Sequence, residues 1–197
     1  MTRIIFATGN QGKMREIKQI MEDMDVEVVS MKEAGIFVDI DENGTTFEEN
    51  ALIKAKAIAN EANAIVLADD SGLEIDFLDK APGVLSARYM GEDTPYEVKN
   101  AHILELLKDV QGEERSARFV CAIAAVFPDG REFTTYATIE GEIAHKSAGE
   151  NGFGYDPIFF VPEFGKTTAE LSADEKNKIS HRGKALSMMK EILKEEI

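Results

Sequence analysis

The sequence predicts an α/β fold: a mixed sheet, at least partly parallel, with flanking helices. Three observations carry that reading. A strand, a helix and a second strand follow one another within residues 3–31, which is a βαβ unit. A capped helical pattern begins at Thr46 and leads into a second apolar run at 64–69. Two long β runs, 116–128 and 131–144, flank Asp129-Gly130, the composition of a hairpin.

The elements follow in order. In residues 3–8, Ile4, Ile5 and Phe6 are consecutive, the pattern of a buried strand. After the Gly9–Gly12 loop, a helix over 13–24 places Met14, Ile17, Met21 and Met24 on one face, and 26–31 reads as the second strand. Thr46 and Glu49 stand at capping-box spacing, with Ala51, Leu52, Ala55 and Ala59 following at helical spacing. The run 64–69 ends in two acids. Beyond it Leu73, Ile75 and Phe77 alternate with Glu74 and Asp76, which predicts a separate, half-exposed strand. Asp93-Thr94-Pro95 predicts a helix with Pro95 at its first position, reaching Val110. The stretch 145–180 reads as irregular. Ser180 then caps a last helix with Ala185, Met188, Met189, Ile192 and Leu193 facing the core.

At 197 residues, the chain predicts a single domain over 1–197. Hydrophobic residues at 44% and charged residues at 30% are globular values and argue against disorder. With 22 Lys+Arg against 37 Asp+Glu, the net charge of -15 opposes nonspecific binding to nucleic acid or an anionic membrane. A small anionic ligand would need a local cluster of cations or a bound metal. No targeting segment is visible, and the apolar stretch 119–128 is far short of the ~20 residues that cross a bilayer. The lone Cys121 fits a reducing compartment, so the expected location is cytoplasmic.

Four segments could carry chemistry. Thr8-Gly9-Asn10-Gln11-Gly12-Lys13 joins a strand to a helix start, where backbone N–H groups and the helix dipole favour an anion. It lacks the Walker spacing, and a plain glycine turn is its structural alternative. Asp69-Asp70-Ser71-Gly72 places two carboxylates at a strand exit, suited to Mg²⁺ held by carboxylates and substrate phosphates, or to an acidic turn. Asp39, Asp41 and Glu42 form a further acidic group upstream. In Gly152-Phe153-Gly154-Tyr155-Asp156-Pro157 an aromatic ring between glycines could stack on a base, or pack as a turn. Lys176 and Ser180-His181-Arg182-Gly183 could donate to a base carbonyl, or form a surface capping segment.

Taken together, the order of these motifs is specific. TGNxxK at 8–13, TFxENAxxKA at 46–55, ADDSG at 68–72, PGxxSARY at 82–89, GFGYDP at 152–157 and SHRG at 180–183 resemble the inosine/xanthosine triphosphate pyrophosphatase family. The resemblance covers nearly the whole chain; residues 108–148 contribute no motif. It implies an elongated mixed sheet with two lobes around a central active-site cleft. It also implies Mg²⁺-dependent hydrolysis of ITP, dITP and XTP to the monophosphate and pyrophosphate, by a homodimer. Carried over residue by residue, Thr8, Gly9, Asn10, Lys13, Lys54 and Ser71 would bind substrate, with both lysines on phosphate. Asp70 would accept the proton, with Glu42, Asp69 and Asp70 as metal ligands; Asp39 and Asp41 stay open as alternatives to Glu42. Phe153, Gly154, Tyr155 and Asp156 would wall the nucleoside, and Lys176, His181 and Arg182 would recognise the base.

Overall fold

A computed structural model describes residues 2–197. The strands are β1 (Thr2–Phe6), β2 (Val26–Ser30), β3 (Ile65–Ile75), β4 (Ser116–Val126), β5 (Glu132–Ile143), β6 (Phe159–Val161) and β7 (Lys166–Thr167). The helices are α1 (Gln11–Ile20), α2 (Phe47–Ala62), α3 (Tyr96–Leu106), α4 (Ala173–Ile179) and α5 (His181–Glu196). The strands form one mixed sheet in the order β2-β1-β3-β4-β5-β6-β7. β1 pairs parallel with β2 and β3, as a βαβ connection requires, whereas β6 pairs antiparallel with β5 and β7.

The chain divides into two compact units. The first holds the chain up to Asp70, then Cys121–Ala137 and His181–Ile197; the second holds Ser71–Val120 and Thr138–Ser180. The first unit's core joins Ile4 and Phe6 of β1 and Ile65 and Leu67 of β3 to Met14 and Ile17 of α1 and Ala185 and Met189 of α5. In the second, Leu73 and Ile75 pack with Ile103 of α3, with Leu107 just beyond that helix, and with Phe159 and Val161 of β6. Arg115 staples that unit from inside. The residue is 2% exposed, and its guanidinium donates to the carbonyls of Leu107, Val110, Ile143 and Ala144.

Several elements match their sequence patterns. Thr46 and Glu49 close the capping box on α2, and Cys121 is buried core. Others differ for physical reasons. The helix α1 begins at Gln11 because Asn10 caps it, and it ends at Ile20; Met24 still packs on the core from the turn beyond. The proposed break between 64–69 and a second, half-exposed strand does not exist. β3 runs unbroken through the ADDSG segment, Leu73 and Ile75 are buried, and Phe77 lies in the following 3₁₀ turn, half exposed. Pro95 is the cap of α3, not its first helical residue: its ψ of 143° is extended, and α3 stops at Leu106, short of Val110. The 145–180 stretch contains β6, β7 and α4. Ser180, at ψ 153°, closes α4 immediately before α5. Met188 points away from the core at 51% exposure, and Leu186 is buried in its place.

Candidate active site

In the first unit the site is built on the end of β3. Successive strand residues face opposite sides. Ile65 and Leu67 face the core beneath α1 and α5, so Asp69 does too, and Asp70 faces the other way. Asp69 is fully buried. Its Oδ2 accepts from Lys13 Nζ of α1 at 2.9 Å and from Arg182 Nε of α5 at 3.3 Å. Arg182, itself 2% exposed, also pairs with Glu16 of α1. Burial alone would raise the Asp69 pKa, but the fields of Lys13, Arg182 and Lys54 outweigh it and hold this carboxyl below the usual range. The four side chains thus alternate in sign from Glu16 to Arg182, Asp69 and Lys13.

Asp70 meets a different environment. Asn50 Nδ2 of α2 donates to its Oδ2 at 3.1 Å. Lys54, one turn further along α2, donates to the Asp69 carbonyl at 3.0 Å and pairs with Glu42 at 3.0 Å. Burial dominates and pushes the Asp70 carboxyl up to about 6; Lys54 and Asn50 oppose the shift and Glu42 adds to it. Two adjacent carboxylates therefore have opposite protonation tendencies. Of the three upstream acids, Glu42 is the one paired with a site cation; Asp39 and Asp41 are exposed.

The loop before α1 is more constrained than a bare anion cradle. Asn10 Oδ1 accepts from the N–H groups of Gly12 at 2.8 Å and Lys13 at 3.2 Å, and the Asn10 N–H donates to Thr8 Oγ1 at 3.1 Å. The Asn10 side chain is thus the helix cap. Gly9 is exposed, has no positive φ, and a Cβ there would meet nothing within 4 Å. The protein's own backbone therefore does not demand glycine at that position, whereas a closely approaching ligand would.

The second unit gathers the other predicted residues. Asp156 is 2% exposed and central. Its Oδ2 accepts from Lys176 Nζ and from the Phe153 N–H, each at 2.8 Å, and its Oδ1 accepts from Thr168 Oγ1 at 2.7 Å. The Lys176 ammonium lies 4.7 Å from the Phe153 ring centroid. Gly152, at φ +75°, is required here, since a Cβ would fall 2.2 Å from Asp156 Oδ2. Tyr155 is buried in the core, and its hydroxyl donates to the Ser86 carbonyl at 2.7 Å. Asp156 and Tyr155 hold this loop, and Phe153 is its half-buried ring. Ser71 lies in β3, half buried.

His181 and Arg182 are buried at 5% and 2% exposure, which corrects the surface-segment alternative for SHRG. The Arg182 guanidinium is engaged by two carboxylates. Asn50, Glu16 and Thr168 were not singled out from sequence. Glu16 lies one helical turn after Lys13, and Asn50 sits within the TFxENA motif, which were the available signals.

Residues 4–192 match the Ham1 family. A dITP/XTP pyrophosphatase of Clostridium perfringens is 47% identical over 200 residues, covering 98% of both chains. A dITP/XTP pyrophosphatase of Caldanaerobacter subterraneus is 51% identical over 194 residues, covering 98% of this chain and 96% of the relative. The solved structure of a HAM1 protein from Coxiella burnetii is 41% identical with a TM-score of 0.89, covering 99% of this chain and 100% of its own. Match of this extent in both sequence and fold leaves one assignment: this chain belongs to the Ham1 family.

Proposed function

We propose that the protein hydrolyses non-standard purine nucleoside triphosphates (dITP, ITP and XTP) to the monophosphate and pyrophosphate, with Mg²⁺, as the names of its relatives suggest. The observation that carries the reading is the divergence of Asp69 and Asp70. One carboxylate is neutralised among cations while burial pushes its neighbour up to about 6. Carboxyl groups pushed apart in this way mark acid–base assignments.

Lys13 and Lys54 are the phosphate cations, each paired with a carboxylate that a triphosphate would replace. Among the described residues no three His, Cys, Asp or Glu cluster to hold a metal unaided. Mg²⁺ commonly uses one or two carboxylates and completes its shell with substrate phosphates and water. Asp70 and Glu42 fit that role. Asp69, held by Lys13 and Arg182, is better suited as their counter-ion than as a ligand, which narrows the set the resemblance implies. When bound, the metal neutralises charge developing on the phosphates. Asp70 takes the proton of the attacking water; the new O–P bond forms at the α-phosphorus and the bond to the leaving pyrophosphate breaks. Thr8, Gly9, Asn10 and Ser71 shape the phosphate path.

Phe153 stacks on the base, with Lys176 as the donor beside it; a base-recognising role for His181 rests on the resemblance alone. A 6-carbonyl accepts from Lys176, whereas the 6-amino group of adenine leaves that donor unpaired. The buried Cys121 and the charge of -15 support a cytoplasmic protein that binds no nucleic acid, and the resemblance supports a homodimer. Among the described residues no helix is long and apolar enough to cross a membrane.

The test is a panel of triphosphates with Mg²⁺. We expect kcat/KM for dITP and XTP to exceed that for ATP by about 10²-fold or more, with GTP at or above ATP. Equal turnover of all four would remove base recognition from the account.

A further inference from the structure

We infer that Asn100 is a positioning residue for the Phe153 loop, a role that rests on the nucleotide reading above. Asn100 lies on α3 and is 4% exposed. Its Nδ2 donates to the Gly154 carbonyl at 3.1 Å, which fixes the orientation of the amide. Its Oδ1 is buried and has no hydrogen-bond partner among the described residues. Buried acceptors left unmet are rare and unfavourable.

Leucine at this position would remove that unmet oxygen and leave the Gly154 carbonyl without the amide. One unmet acceptor would replace another, so stability alone gives little reason for asparagine. What the amide adds is a fixed Gly154 peptide. Gly154 adopts φ +67°, a conformation with many alternatives open to glycine, so an external hold on its carbonyl selects one of them. The preceding residue is Phe153, whose ring faces the Lys176 ammonium.

The same helix packs on the loop once more and also holds the segment to which Tyr155 is anchored. Tyr96, one turn before Asn100, packs edge-on against Tyr155 at 5.1 Å between centroids, and its ring would lie 3.6 Å from a Cβ on Gly154. Lys99, fully buried, donates to the Ala87 carbonyl at 2.6 Å, next to the Ser86 carbonyl that Tyr155 uses. α3 is thereby the rigid backing of the loop, and Asn100 is a polar contact from it to the loop backbone beside Phe153.

Asn100→Leu tests this. We expect a thermal midpoint within about 3 °C of wild type, since one unmet group replaces another. KM for dITP should rise about tenfold, the worth of one hydrogen bond, with kcat little changed. The inhibition constant of inorganic tripolyphosphate, which has no base, should stay the same. In a Phe153→Ala background the Asn100→Leu effect on KM should vanish, because the group being positioned is gone. If leucine does not fold there, Asn100→Ser, too short to reach Gly154, takes its place with the same expected KM. Equal rises in the dITP KM and the tripolyphosphate constant, or full additivity with Phe153→Ala, would overturn the positioning role. Wild-type protein inactive on dITP would instead overturn the nucleotide reading beneath it.

Discussion

Asp70→Asn is expected to lower kcat by about 10²–10⁴-fold, the range of lost acid–base assistance, and to stabilise the metal-free protein. Asparagine keeps an oxygen for the Asn50 donor and nearly the same shape, so the packing survives. What disappears is a proton acceptor and a buried charge. The Asp70 carboxyl is raised from 3.8 to about 6, chiefly by burial. A raised folded-state value means that the charged form is disfavoured by folding. The penalty is absent below the unfolded value, grows as pH rises through 4 to 6, and is complete at pH 7. A shift of that size corresponds to about 1–3 kcal/mol. The substitution should therefore raise the unfolding free energy at pH 7, measured in urea with chelator present, and change it little at pH 4. Near-normal turnover in the variant would remove Asp70 from the chemistry. An unchanged stability at pH 7 would mean that its charge is not buried in the way described.

Arg182→Ala is expected to be the most destabilising change in the first unit, at about 3–5 kcal/mol. It leaves the fully buried Asp69 with Lys13 as its remaining ion-pair partner at the site and takes the guanidinium from Glu16. Lysine should not rescue it, because a single ammonium cannot bridge two carboxylates as a guanidinium fork does. Adding Glu16→Gln to Arg182→Met should cost less than the sum of the two single changes, since the second no longer leaves a stranded charge. Urea unfolding of the four proteins measures this. The folded fraction of Arg182→Ala should lose turnover on dITP and ATP in similar proportion, because its guanidinium pairs with Asp69 and Glu16, and Asp69 in turn with Lys13, the proposed phosphate cation. A selective loss on dITP would return Arg182 to base reading.

What was legible in the sequence is what local spacing encodes. The capping box at Thr46 and Glu49 and the hairpin around Asp129-Gly130 are closed by near neighbours, and both form. The same kind of signal stood at Ser172 and Glu175, where it starts α4 within a stretch that reads as irregular. The continuity of β3 was not legible, because Asp-Asp-Ser-Gly has turn composition. It runs as strand with its acids met by Lys13, Arg182 and Asn50 from three helices. Burial of His181 and Arg182 was hidden for the same reason: charged residues at a helix start read as surface until their buried counter-charges are placed. Motif spacing names the candidate residues, but not their contacts. The contrast between Asp69 and Asp70 needed the two faces of β3, and Asp156 needed its three donors before it could be seen as the clasp of the Phe153 loop.

The central claim is a hydrolysis at the α-phosphorus directed by Asp70, and product identity tests it most directly. Purified protein with Mg²⁺ and dITP, followed by ³¹P NMR in ¹⁸O-enriched water, should give dIMP and pyrophosphate in equal amounts, with the label in dIMP. Chelator or Asp70→Asn should suppress both products together. Release of dIDP and inorganic phosphate, or label in the pyrophosphate, would contradict the account.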